Sequence, residues 1–266
     1  MSPKNKGKFG QGRSAIEATD EFVSGASQIA ERLRPHIKLI AVLASALALV
    51  LVGVFTYQHM ARRAEAEATV LYRHALETAG LPVLPTEATE EDEAPGDAND
   101  AEPTSFPSDQ ARADAVLVPL TTMREEYGST DTARTARLFH AAALYDAGRF
   151  QDAIAMYQEI LADKSMAELT ATAREGLGYA QEALALASED QAARHAGLET
   201  ALATFHQIQP DEEGPRREYA LYHEARILAT LGKREEATAA LRKAIEIAPE
   251  SPLRNDIRQR LAQLTE

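Results

Sequence analysis

A chain of 266 residues, 45% of them hydrophobic, has room for one membrane segment and one globular domain of ordinary size. It contains no cysteine, which excludes disulfides, thiolate metal sites, acylation on cysteine and cysteine nucleophiles. The net charge of −13 is unevenly spread: residues 1–38 hold seven Lys/Arg against four acids, and the remainder holds 21 basic against 37 acidic residues, a balance that repels nucleic acid.

The chain begins with a Gly- and Lys-rich stretch, MSPKNKGKFGQGR, that reads as a basic arm. From Ser14 a helix is expected, since Ser14 and Glu17 have capping-box spacing and Ile16, Val23, Ala26, Ile29, Ala30 and Leu33 recur at helical steps as far as Pro35. Residues 1–38 are therefore assigned to a cytoplasmic basic arm and an amphipathic helix. Leu39–Tyr57 is nineteen residues without a charge. As a helix it is about 28 Å long, the thickness of a bilayer's hydrocarbon core, and predicts a single transmembrane helix over 39–57. Basic residues are in excess on its N-terminal side, where Arg32, Arg34, Lys38 and the arm face Arg62, Arg63 and Arg73. That excess puts the N-terminus in the cytoplasm and reads as an uncleaved signal anchor.

Residues 58–80 are rich in helix formers and predict a helical extension ended by Gly80. Residues 81–107 carry eight acids, five prolines and no base, and read as an acidic disordered linker. From 108 to 266 the composition is Ala, Leu, Glu and Arg at helical periodicity. Breaks are expected near Gly128–Thr130, Gly148, Ala162–Ser165, Ser188–Gln191, Pro210–Pro215, Gly232 and Pro249–Pro252. They leave an all-α antiparallel stack of about eight helices.

Within this stack the helix pairs repeat. Ala153, Tyr157 and Ile160 have the spacing of Ala201, Phe205 and Ile208 and of Ala237, Leu241 and Ala244, and Gly148 and Gly232 each stand five residues before the first alanine of their set. A small residue is needed where two helices cross, a bulky one a turn later to fill the groove, and a glycine to free the turn. The pattern resembles the tetratricopeptide repeat, most closely over Glu218–Ser251 (Ala225, Leu228, Gly232, Ala237, Leu241, Ala244, Pro249). A second unit begins near Arg134 (Ala141, Leu144, Gly148, Phe150, Ala153, Tyr157). The two glycines lie 84 positions apart, more than two repeat periods of roughly 34, so the middle unit, with its first helix over Met166–Ala187, is stretched. The helix over 252–265 reads as a solvating cap. The resemblance implies an α-solenoid behind a single transmembrane helix. The layout from about residue 20 onward also resembles a narrower family, the YfgM-type ancillary subunit of the bacterial SecYEG translocon, from which the acidic linker at 81–107 departs.

No catalytic constellation is found. Seven histidines (36, 59, 74, 140, 195, 206, 223) lack metal-ligand spacing, with His140 and His206 expected at helix interfaces or surfaces. Gly176-Leu177-Gly178 has no phosphate-loop continuation. The chain is read as a non-enzyme without cofactor, metal or small-molecule substrate. The repeat resemblance implies a protein-binding groove on the first helix of each unit: Thr135, Leu138, Ala142, Tyr145 and Asp146 in one, Tyr219, Tyr222, Arg226, Ala229 and Thr230 in the last. Leu138 and Tyr222 are equally explained by packing between units. By the narrower resemblance the partners are translocon subunits and exported or periplasmic proteins, met on the periplasmic side of the bacterial inner membrane. The alternative is a structural scaffold of an envelope complex in cell division or wall synthesis.

Overall fold

The computed structural model describes residues 36–84 and 103–265. The basic arm, the amphipathic helix and most of the acidic linker lie outside the described residues. Nine α-helices are described: α1 (Ile37–Ala79), α2 (Asp109–Tyr127), α3 (Asp131–Asp146), α4 (Phe150–Ala162), α5 (Thr170–Ala187), α6 (Gln191–His206), α7 (Arg217–Thr230), α8 (Arg234–Ile247) and α9 (Arg254–Thr265). The fold is all-α, and α2–α9 are the expected eight helices with breaks where glycine, proline and polar clusters punctuate the sequence.

The chain divides into two compact units between Arg62 and Arg63. In the first, α1 is long and apolar enough to cross a membrane, with a mean hydropathy of 2.7 over its most apolar window and none of that window buried. Leu43, Leu49, Val52 and Phe55 all face outward from it.

In the second unit successive helices pack against one another as antiparallel pairs. The turns after α3 and α7 have the same construction: Gly148 and Gly232 adopt φ of 74° and 77°. There the amide of Arg149 reaches back to the carbonyl of Leu144 at 2.8 Å, and that of Lys233 to Leu228 at 2.9 Å. Only a residue without Cβ enters that left-handed conformation without strain, which is why glycine marks both turns. The repeat alanines Ala153, Ala201 and Ala237 are completely buried, as small residues at helix crossings must be. Ala237→Phe is expected to overfill its crossing and cost about 1–3 kcal/mol. Urea unfolding of residues 63–266 reads that loss, with the exposed Ala239→Phe as a near-silent control; equal losses mean a different register.

The middle unit is longer for visible reasons. Its first helix starts at Thr170 rather than at Met166, because Met166 leaves helical geometry (φ −106°, ψ 22°) and Lys164–Leu169 form a 3-10 turn that buries the Met166 side chain. The remaining excess is the loop before α7, tied by Gln209 Nε2 donating to the carbonyl of Pro215 at 2.9 Å and by Arg217 Nη1 donating to that of Gln209 at 3.0 Å. The last helix, α9, is amphipathic: Ile257 is fully buried, Leu253, Leu261 and Leu264 pack around it, and Arg258 and Gln259 face out.

Of the helical extension expected over 58–80, residues 68–79 share this core. Ala68 and Ala75 are fully buried in it, and Tyr72 meets Phe139 edge-on at 6.2 Å. Leu84 and Phe106, at the two described ends of the acidic stretch, are joined by backbone hydrogen bonding (Leu84 N to Phe106 O, 2.9 Å). Glu65 supplies a cap to a helix remote in sequence. Its carboxylate accepts from the amides of Asp131 and Thr132 at 3.0 and 2.9 Å and from the Thr132 hydroxyl at 2.5 Å, meeting the partial positive charge at the start of α3. Glu65→Ala is expected to cost about 1 kcal/mol, as loss of an N-cap does. The Thr132 hydroxyl first, and then the two amides, hold the Glu65 carboxyl below the ordinary glutamate value against the opposing effect of burial. A depressed folded-state pKa means that this contribution is fully present above the unfolded value and fades as pH falls through the folded one. Glu65→Gln should therefore flatten the acid limb of the stability–pH curve, and an unchanged limb refutes the cap.

Candidate functional site

The first helices of the three units, α3, α5 and α7, stand side by side, and each presents one face. On α3, Thr135 and Asp146 are exposed, whereas Leu138, Ala142 and Tyr145 are half-buried. Leu138 and Tyr145 rest against the larger hydrophobic core. On α7, Thr230 is exposed, and Tyr219, Tyr222 and Ala229 are half-buried. The Arg216 guanidinium lies 4.4 Å from the Tyr219 ring centre, and Arg260 of α9 lies 5.7 Å from that of Tyr222. Tyr222 thus serves the packing of the last unit as well as the open face.

Between the two sets runs α5, whose contribution the sequence did not single out. Glu175, Tyr179 and Glu182 lie at steps of four and three and so share one side of the helix. Glu182, 7% exposed, pairs with the guanidinium of Arg226 on α7. Arg226 also lies 5.0 Å from the centre of the Tyr179 ring. His223, on the same helix and 3% exposed, places Nε2 3.4 Å from Glu175 and Nδ1 3.4 Å from the Tyr179 hydroxyl. Its ring stacks on Phe205 at 4.8 Å. The hydrogen bond from His223, opposed by burial, holds the Glu175 carboxyl below the usual carboxylate range.

Tyr145, on α3, lies within the electrostatic reach of this cluster. Burial pushes its phenol up, the Glu182 carboxylate adds to that, and Arg226 opposes both. The cluster joins Tyr179 and Glu182 of α5 to Arg226 of α7, while Thr135 and Thr230 are exposed. Asp146 borders a separate cavity of about 370 Å³ with Arg112 and Phe139. The one signal in the sequence for α5 was Gly176-Leu177-Gly178, whose role is steric. A Cβ at Gly176 would meet the Tyr157 ring at 2.3 Å, and one at Gly178 would meet the Phe205 ring at 2.6 Å.

Two further histidines, His140 and His206, fall at helix interfaces, while His36, His59, His74 and His195 are exposed. His140 is 6% exposed, and burial together with Arg124 and Arg149 pushes its pKa down to about 4, so it is neutral at neutral pH. His206 stands 3.3 Å from Glu224 between α6 and α7. Among the described residues no group of three or more His, Asp or Glu side chains is arranged to hold a metal ion. What the face offers is tyrosine rings, a guanidinium already oriented by a carboxylate, and apolar edges.

No family model matches the chain, and no curated protein matches it. A solved structure, that of a thermophilic TPR protein of Thermus thermophilus, is similar over 57% of this chain and 73% of that one, at 23% identity and a TM-score of 0.43.

Proposed function

We propose that the protein is a membrane-anchored interaction module whose inner-helix face binds other proteins. The observation that carries this reading is the meeting of Tyr179 and Glu182 with Arg226, from two successive units, on one face. Stacked helix pairs present such faces, and tyrosine and arginine dominate binding energy where proteins meet. The apolar part of α1 serves as the anchor, with the N-terminus in the cytoplasm and the repeat domain on the periplasmic side of a bacterial inner membrane. The charge asymmetry of the flanks supports that orientation. Anchoring raises the effective concentration of the face near its partners, so weak contacts suffice. By resemblance, the partners are subunits of the Sec translocon and exported chains. The second reading is a scaffold within an envelope assembly, to which the acidic stretch at 81–107 adds no reach, because Leu84 and Phe106 near its ends are joined by backbone hydrogen bonding.

Photo-crosslinkers at Tyr222 and Leu138 on the face and at Val50 in the span test the reading. Translocon subunits captured from the span together with secreted proteins captured from the face are expected. Capture of the same fixed envelope proteins from all three positions establishes the scaffold instead. Reporters active only outside the inner membrane, fused at residue 130 and at the C-terminus, should both be active; silence from both overturns the orientation.

A further inference from the structure

Helices α2, α3 and α4 line a cavity of about 210 Å³. Leu120 and Met123 of α2, both almost fully buried, belong to its apolar part, and Arg124 of α2, Arg137 and His140 of α3 and Glu159 of α4 make up its polar part. His140 is 6% exposed, and among the described residues no group hydrogen-bonds either of its ring nitrogens. Buried polar side chains are bonded in nearly every case, so one that lines a cavity without a partner points to a polar group entering that cavity.

The guanidiniums around it are under-used in the same way. Arg124 gives Nη2 to both oxygens of Glu159, at 2.9 and 3.1 Å, but its Nη1 meets only the thioether sulfur of Met156 at 3.2 Å, a weak acceptor. Arg137 donates Nη1 to Asp163 at 3.1 Å, and none of its other nitrogens donates to a described residue. Donors therefore outnumber acceptors here. A guanidinium has no acceptor, a neutral imidazole has one nitrogen of each kind, and the Glu159 oxygens are already engaged, so what enters must bring oxygen acceptors.

The charges agree. Of the charged groups that act on His140, the Arg124 and Arg149 guanidiniums each outweigh the Glu159 carboxylate, so the potential at the ring disfavours a cation. The positive excess is small, because Glu159, Asp163 and Asp152 already pair with Arg124, Arg137 and Arg149. One negative charge suits it better than two. Leu120 and Met123 suit an apolar remainder, and the volume, below the roughly 300–1,000 Å³ of ordinary ligand pockets, limits that remainder to a few carbons.

We propose that this cavity is a binding site for a short-chain monocarboxylate, separate from the inner-helix face. The carboxylate accepts from His140, Arg124 and Arg137, and the alkyl chain lies against Leu120 and Met123. A planar carboxylate matches a guanidinium fork as an amine or an alcohol of the same size does not.

The test uses the full chain in phosphatidylcholine nanodiscs, with empty discs as the blank, and reads saturation transfer to the protons of propionate by NMR. Propionate should show transfer above the blank, and propylamine, of similar length and opposite charge, should not. An equal concentration of phosphate at matched ionic strength should not displace propionate. Arg124→Gln and His140→Phe should each weaken binding about tenfold or more, the loss expected when a hydrogen bond to a charged group is removed, with helicity by circular dichroism unchanged. Arg258→Gln, which removes a guanidinium from an exposed position on α9, should leave the signal as it was. If His140→Phe loses helicity, the half-exposed Arg124 decides. Transfer no greater than to empty discs, equal transfer to propylamine, displacement by phosphate, or an undiminished signal in Arg124→Gln overturns the proposal. The crosslinks from Tyr222 and Leu138 test the inner-helix face separately, so either reading can fail without the other.

Discussion

Gly178→Ala should destabilise the domain by about 1–3 kcal/mol, as overpacking a filled core does. The sign is what makes this informative. Glycine within a helix is normally worse than alanine by about 1 kcal/mol, so by propensity alone the substitution should stabilise. Here the new Cβ would stand 2.6 Å from the Phe205 ring. That ring has no exposed surface and is held between Tyr179, edge-on at 5.5 Å, and His223, stacked at 4.8 Å, so it has nowhere to go. Gly176→Ala should behave alike through Tyr157, a ring only 5% exposed whose phenol burial pushes to about 12. Urea unfolding of residues 63–266 with circular dichroism measures both. A gain in stability at either position would mean that the rings are free to withdraw and that the joints between units are looser than the structure describes.

The second large effect belongs to the ion pair at the centre of the candidate face. Arg226→Met should cost about 3–5 kcal/mol, the usual result of leaving one member of a buried pair alone. Glu182 keeps 9% of its side chain exposed and Arg226 keeps 18%, so water does little to screen the abandoned carboxylate. Glu182→Leu should be similarly harmful. The double variant should recover most of the loss, because two apolar side chains carry no desolvation cost, and a double-mutant cycle gives the coupling. Additive losses with no recovery would show that each side chain acts through its own packing. If the double variant regains stability but loses crosslinking from Tyr222, the pair serves recognition; if crosslinking also survives, the pair only joins α5 to α7.

Much of the fold is legible in the sequence because its determinants are local. Gly148 and Gly232 announce left-handed turns by their spacing from Ala153 and Ala237, and both turns and crossings follow from what one residue's Cβ permits. The charge-free run at 39–57 needs nothing but its own length to state that it suits a bilayer. The repeat pattern also puts Tyr145 on the first helix of one unit and Arg226 on that of the last, as α3 and α7 have them. The middle unit interrupted that pattern. Its turn has no glycine, its first helix begins later than the periodicity suggests, and so Tyr179 and Glu182 went unnoticed.

What the sequence determined by itself, then, is the helical register, the punctuation and the apolar run, all set by interactions within a few residues of one another. The tertiary structure alone decided which distant groups meet. Glu65 caps a helix that starts 66 positions later. Glu182 pairs with an arginine 44 positions away. The rings of Tyr157 and Phe205 enter the space that Gly176 and Gly178 leave on a neighbouring helix. Each of these depends on which helices abut and at what rotation, and that is settled by burying every apolar face at once. A period of 3.6 residues along one helix carries no information about its neighbour's rotation.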